Sequence, residues 1–230
     1  PVVGITGSNG KTMVKEWLYQ IMSPDVCVTR SPRSYNSQIG VPLSVWLLNE
    51  HTQLGIFEAG ISQPGEMRAL RGIIQPTIAV LTNLGAAHQE NFESMQAKCK
   101  EKIQLFHDAQ TVVYDADDSV IAAEVEASGY PGERLCWSLT DAHAPMYISR
   151  IDKGDAHTLV TYSYQGGAEQ HYQLPFIDDA SISNSIVCAT VALHLGVSAD
   201  ALAQRMQQLE PIAMRLEVKE GQHGCTLIND

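Results

Sequence analysis

The chain has 230 residues, 44% hydrophobic and 18% charged, enough apolar material for one large α/β domain or two small ones. Its net charge of -11 argues against sequence-independent nucleic-acid binding, which needs Lys and Arg to neutralise phosphates. A bound polyanion such as a nucleotide would have to be held by backbone N–H groups, a few cations and metal ions.

The apolar run "VVGIT" (2–6) reads as a strand buried on both faces. It leads through "GSNGKT" into a helical pattern over about 11–22, with Met13, Trp17 and Ile21 at i, i+4 and i+8. The runs "VCVT" (26–29), "LGIFEA" (54–59), "TIAVLTN" (77–83) and "TVVYD" (111–115) follow, alternating with helices expected at about 41–49, 64–74 and 93–107. This order predicts an α/β fold with a doubly wound, mostly parallel sheet and right-handed crossovers. After residue 145 the segments "MYISRID", "HTLVTYSYQ" and "EQHYQL" show partial period-2 alternation and predict a small antiparallel flap, about 146–175. Helices at about 181–195 and 198–208 and a strand at 225–229 complete one domain over 1–230.

Cys27, Cys99, Cys136, Cys188 and Cys225 are scattered, odd in number and free of C-x-x-C spacing. They point to a reducing compartment rather than a disulfide framework or structural zinc. No apolar run approaches the ~20 residues of a membrane span. The chain opens on an apolar strand and stops just after another, so it is expected to be a domain of a longer polypeptide.

Strand, glycine-containing loop, Gly10-Lys11-Thr12 and helix form the context of a phosphate-binding loop. Gly7 and Gly10 allow close backbone approach, and the loop 7–10 precedes a helix N-terminus that favours anions. Lys11 would reach the β/γ-phosphates and the Thr12 hydroxyl would bind Mg²⁺. The usual spacing places a glycine five residues before Gly10, where this chain has Ile5. Glu58 closes an expected parallel strand, where open α/β sheets place their ligands, and is a hard oxygen donor suited to Mg²⁺.

"TGSNGKT" resembles the loop T-G-[ST]-x-G-K-[ST] of the Mur ligase family, which places its early glycine where Gly7 stands. "YNSQIGVP" (35–42), "EAGISQPGEM" (58–67), "TNLGAAH" (82–88), "KEKIQLF" (100–106), "RLE" (215–217) and "IND" (228–230) resemble further family segments in the right order. "EAGISQPGEM" resembles the branch that adds D-alanyl-D-alanine. The resemblance implies the family's central ATP-binding domain, flanked in the same polypeptide by a UDP-sugar-binding domain and a C-terminal domain. It implies a bacterial cytoplasmic ligase that uses ATP to join D-alanyl-D-alanine to UDP-N-acetylmuramoyl-tripeptide through an acyl phosphate.

The resemblance also implies the site. Gly7, Ser8, Asn9, Gly10, Lys11 and Thr12 would hold the phosphates. Thr12, Glu58, His88 and a carbamylated Lys102 would hold two Mg²⁺. Asn184 would read adenine, Arg215 would contact phosphates and Asp230 the ribose. Tyr35, Asn36 and Ser37 would face the sugar-peptide. Lys98 and Lys100 compete for the modified position, and matching the spacing to His88 and Phe106 favours Lys102. Where many members have H-N-x-x-N, this chain has Ala180-Ser181-x-x-Asn184. A ligase adding the third amino acid, a folylpolyglutamate synthase, a P-loop NTPase outside the ligases and a non-catalytic nucleotide-binding module are the alternatives. "LGIFEA" ends in Glu rather than the Asp usual in motor-type NTPases.

Overall fold

A computed structural model describes residues 1–87 and 89–212, and the backbone of 217–220 and 226–229. The first half alternates strands and helices: β1 (Val2–Thr6), α1 (Lys11–Met22), β2 (Val28–Arg30), α2 (Gly40–Val45), β3 (Leu54–Glu58), α3 (Glu66–Ile74), β4 (Ile78–Leu81), α4 (Met95–Lys102), β5 (Thr111–Val113), α5 (Ser119–Ala127) and β6 (Glu133–Arg134). The six strands form one parallel sheet in the order β2-β3-β1-β4-β5-β6. The chain leaves β1 towards β2, whereas β4 leads on to β5 on the other side. A right-handed crossover that runs the opposite way lands on the opposite face. Accordingly α1 packs on one face, while α3, α4 and α5 cover the other.

Period-2 alternation divides each strand between two cores. Ile78 and Val80 of β4 join Val3, Ile5, Ile56, Trp17 and Leu18 on the α1 face. Ala79 and Leu81 join Phe57, Met67, Leu70 and Phe106 on the other. This double burial explains the unbroken apolar runs in the sequence. Trp17 is wholly buried and stacks on Phe176 at 5.1 Å, and its indole N–H donates to the Glu210 carbonyl. Such burial contributes about 1.5–3 kcal/mol.

The second half contains β7 (Trp137–Ser138), β8 (Met146–Lys153), β9 (Thr158–Tyr164), β10 (Gln170–Leu174), α6 (Asp179–His194), α7 (Ala199–Met206), β11 (Glu217–Glu220) and β12 (Thr226–Asn229). Strands β8, β9 and β10 pair antiparallel, and the short β7 joins β8 in parallel. Val160, Tyr162, Tyr172 and Leu174 turn into the same core as α1 and α6. Tyr172 and Ser185 of α6 share a buried hydroxyl–hydroxyl hydrogen bond of 3.0 Å.

Several elements differ from the sequence expectations. The helix expected at 41–49 stops at Val45, and the Asn49 side chain organises a local turn by accepting from the His51 N–H. The helix expected over 93–107 ends at Lys102 and continues as a 3-10 turn, Ile103–Phe106. Helix α5 was not anticipated; Asp118 caps it by accepting from the N–H groups of Val120 and Ile121. Among the described residues no helix is long and apolar enough to cross a membrane.

Candidate active site

The C-terminal ends of β1, β3 and β4 meet where the winding direction reverses, which is where open α/β sheets gather ligands. The loop 7–10 after β1 is moulded against the loop after β4. Ser8 N donates to the Asn83 carbonyl at 3.0 Å and Asn9 N to Asn83 Oδ1 at 3.0 Å. Asn83 Nδ2 and Thr82 Oγ1 return hydrogen bonds to the Asn9 carbonyl at 3.1 and 2.5 Å. Helices α4, α5, α6 and α7 each carry a Ser or Asp cap, whereas α1, preceded by Gly10, has no side-chain cap, as is also true of α2 and α3. A helix end built this way leaves its N-terminal side clear for an anion.

Two glycines in this loop are required by geometry. Gly10 has φ +80°, and a Cβ there would lie 2.3 Å from Asn184 Oδ1. Gly7 has φ +147°, and a Cβ would meet Thr82 Oγ1 at 1.9 Å. The backbone strain and the collision together make Gly7→Ala cost roughly 2–4 kcal/mol. The expected result is a lowered urea midpoint with an unchanged slope and loss of nucleotide binding. A midpoint within error of the parent would contradict the close packing of Gly7 on Thr82.

The Lys11 ammonium donates to the carbonyls of Gly7 (2.8 Å) and Ser8 (3.1 Å). Lys102, 2% exposed at the end of α4, reaches the Gly7 carbonyl at 3.0 Å. Burial, with Lys11 and Lys98 nearby, lowers its pKa to about 7. Lys98 is equally buried and donates to the carbonyls of Gly85 (2.5 Å) and Ala87. Burial lowers its pKa too, against the charge of Glu90. It therefore serves the 85–87 loop, while Lys102 serves the phosphate loop. Lys100 lies on the exposed face of α4, 3.9 Å from Glu124.

Glu58, at the end of β3, is fully buried. Its Oε2 accepts from Thr12 Oγ1 at 3.1 Å and from Asn36 Nδ2 at 3.4 Å. A hydroxyl and a carboxylate side by side at a helix N-terminus are hard oxygen donors, a set that fits Mg²⁺. Gly7, Ser8, Lys11, Asn36, Ser37 and Lys102 line a cavity of about 300 Å³. Tyr35 is 43% exposed and is not among the lining residues. Asn184 is buried behind the loop, against Gly10, and donates to the Met13 sulfur at 3.3 Å. His88, Arg215 and Asp230 lie outside the described residues.

Lys15 escaped the sequence reading. It is fully buried, with its ammonium 3.0 Å from Glu58 Oε1. The available signal was its place one turn beyond Lys11 on the same face of α1. Asn83 and Thr82, which shape the phosphate loop from β4, were visible only as part of "TNLGAAH".

A family model described as Mur ligase middle domain matches residues 5–192. The UDP-N-acetylmuramoyl-tripeptide--D-alanyl-D-alanine ligase of Treponema pallidum is 31% identical over 211 residues, covering 91% of this chain and 44% of the relative. The Bacillus subtilis ligase of the same name is 24% identical over 232 residues, covering 100% of this chain and 49% of the relative. The crystal structure of MurF from Acinetobacter baumannii shares the fold with a TM-score of 0.86 at 23% identity, covering 100% of this chain and 50% of that one. MurF from Thermotoga maritima in complex with ADP gives 0.80 at 22% identity, over 99% of this chain and 52% of that one. The chain spans about half the length of these relatives. It belongs to the Mur ligase family and matches that family's middle domain.

Proposed function

We propose that the chain is the ATP-binding domain of a bacterial, cytoplasmic amide ligase of peptidoglycan precursor synthesis. This ligase joins D-alanyl-D-alanine to UDP-N-acetylmuramoyl-tripeptide through an acyl phosphate. The observation that carries this reading is that Lys11 and Lys102 line one cavity with Asn36 and Ser37, while Thr12 and Asn36 donate to the buried Glu58 beside it. It supports reading these residues as phosphate-binding and substrate-side groups, in a chain whose curated relatives carry the ligase name along nearly its full length.

Transfer of a γ-phosphoryl group to a carboxylate brings two anions together, so it needs fixed geometry and local positive charge. In this reading the loop Gly7, Ser8, Asn9, Gly10 presents backbone donors to the phosphates, and Lys11 supplies a cation. Thr12 and Glu58 would hold one Mg²⁺, and His88 with a carbamylated Lys102 a second. When bound, the metal ions screen the phosphate charge. A lysine poised near pH 7 is partly neutral and nucleophilic. Its amine would add to CO₂, forming the N–C bond and losing one proton, which converts a cation into an oxygen donor. Asn184 would contact adenine, Arg215 the phosphates and Asp230 the ribose, while Asn36 and Ser37, with Tyr35, would contact the sugar-peptide.

Flanking domains of the same polypeptide would bring the UDP-sugar and the dipeptide. The relatives are about twice as long as this chain. Ile39 borders the cavity and is exposed, and Leu43, Trp46 and Leu47 follow as exposed apolar residues in and just after α2, Trp46 by 88%. Exposed apolar residues grouped this way are a surface for a neighbouring domain to bury.

The test is phosphate and ADP release by the complete polypeptide carrying this domain, given UDP-N-acetylmuramoyl-tripeptide and different amines. Release that depends on D-alanyl-D-alanine is expected. Release with a single amino acid or glutamate instead would replace this reading with another ligase. Release without any acceptor would point to a nucleotide hydrolase.

A further inference from the structure

We propose that Lys15 is a positioning residue for Glu58. It holds one carboxylate oxygen on its own side so that the other faces Thr12 and Asn36, and it ties the substrate-side loop to the same point. The proposal rests on Glu58 being a metal ligand, as read above.

A lysine with no solvent exposure is rare, because desolvating an ammonium is costly unless it is paired and hydrogen-bonded. Lys15 is surrounded by four oxygens. Its Nζ lies 3.0 Å from Glu58 Oε1 and 3.0 Å from Glu16 Oε1, and it donates to the carbonyls of Ser31 (2.8 Å) and Arg33. The two carbonyls take its hydrogen bonds, and the two carboxylate oxygens are held by charge at ion-pair distance.

The arrangement divides the Glu58 carboxylate. Oε1 faces Lys15, while Oε2 accepts from Thr12 and Asn36. Rotating the carboxylate would break all of these contacts at once. Glu16 is divided likewise, with Oε2 2.9 Å from Arg30 Nε.

The same ammonium shapes the loop after β2. Arg33 has φ +48°, a left-handed conformation uncommon outside glycine, and its carbonyl accepts from Lys15. Ser31 Oγ accepts from the Glu58 N–H at 3.2 Å. Three residues beyond Arg33 the loop delivers Asn36 and Ser37 to the cavity. Lys15 thus links the phosphate-loop helix, the end of β3 and the substrate-side loop. Replacing a whole buried ion pair by apolar side chains is often neutral or stabilising, whereas removing one partner leaves the other charge buried and unpaired. Retaining the charge fits a role in aiming Glu58.

The test is Mn²⁺ affinity in the presence of ADP, followed by electron paramagnetic resonance titration of this chain. The variants are Lys15→Met, Glu58→Gln and the two combined. Removing a group that orients a ligand typically costs about 10–100-fold in metal affinity. Each single variant is expected to weaken Mn²⁺ by at least about tenfold, and the double variant no more than Glu58→Gln alone. An unchanged affinity in Lys15→Met, or losses that multiply in the double variant, would overturn the proposal while leaving Glu58 a ligand. An unchanged affinity in Glu58→Gln would instead overturn the ligand reading on which it rests. Lys15→Gln, a neutral donor of similar reach, carries the same comparison should Lys15→Met not fold.

Discussion

Lys11→Met is expected to lower the rate of ADP formation by the complete ligase on the order of 10²–10³-fold, while the domain stays folded. The magnitude is that of removing one preorganised group from a developing charge, about 2.7–4 kcal/mol of barrier. Lys11 lines the cavity at the start of α1, and its ammonium reaches the loop carbonyls of Gly7 and Ser8. Those carbonyls border the cavity, so losing the hydrogen bonds costs the fold little. Losing the charge costs the reaction much more, because this acidic chain has few cations to spare near a triphosphate. Lys11→Arg should restore little, since a planar fork does not replace a compact ammonium in a tight loop. Steady-state kinetics and thermal unfolding of the same preparation check both halves. Near-parental turnover in Lys11→Met would remove Lys11 from the phosphate site.

The fold was legible where burial leaves a periodic trace. Strand β1 and helix α1 stand within the ranges read from "VVGIT" and from the Met13, Trp17, Ile21 stripe. Strand β6 was not legible, because two residues, Glu133 and Arg134, carry no pattern. Helix α5 was missed because its apolar positions are crowded with alanine and its buried face amounts to Ile121 and Val125. The site was legible where chemistry depends on spacing along the chain: the glycines, Lys11, Thr12 and Glu58. It was not legible where residues meet only in space. Nothing local marks Lys15 as a partner of Glu58, forty-three positions away, or Thr82 as the wall that requires glycine at position 7. Cys99 and Lys102 share the buried face of α4 at i, i+3 spacing. That Lys98 is buried as well, clamping the 85–87 loop, follows only from the loop's return over the helix.

Lys102→Met is expected to make the isolated domain more stable at pH 7 and the complete ligase nearly inactive. The lysine's pKa is lowered from 10.5 to about 7, chiefly by burial and then by Lys11 and Lys98. Between those values the unfolded chain binds a proton that the folded chain does not, so stability rises with pH across this window. Below about pH 7 both states are protonated and the fold bears the full penalty of a buried cation. Methionine removes that penalty but also the 3.0 Å hydrogen bond to the Gly7 carbonyl. The drop from 10.5 to about 7 corresponds to roughly 5 kcal/mol at 1.36 kcal/mol per pKa unit, and the lost hydrogen bond takes back about 1, so the gain has an upper bound of about 4 kcal/mol. For a domain of this size each kcal/mol is roughly 2–4 °C in Tm. The gain should be largest at pH 6–7 and shrink towards pH 10, where the lysine is neutral in the fold. The measurement is paired thermal unfolding at both pH values in bicarbonate-free buffer. A variant less stable than the parent at pH 7, or equally displaced at both pH values, would mean that Lys102 is a structural cation. A gain in stability with loss of ligation would mean that the fold tolerates this strained charge for the reaction.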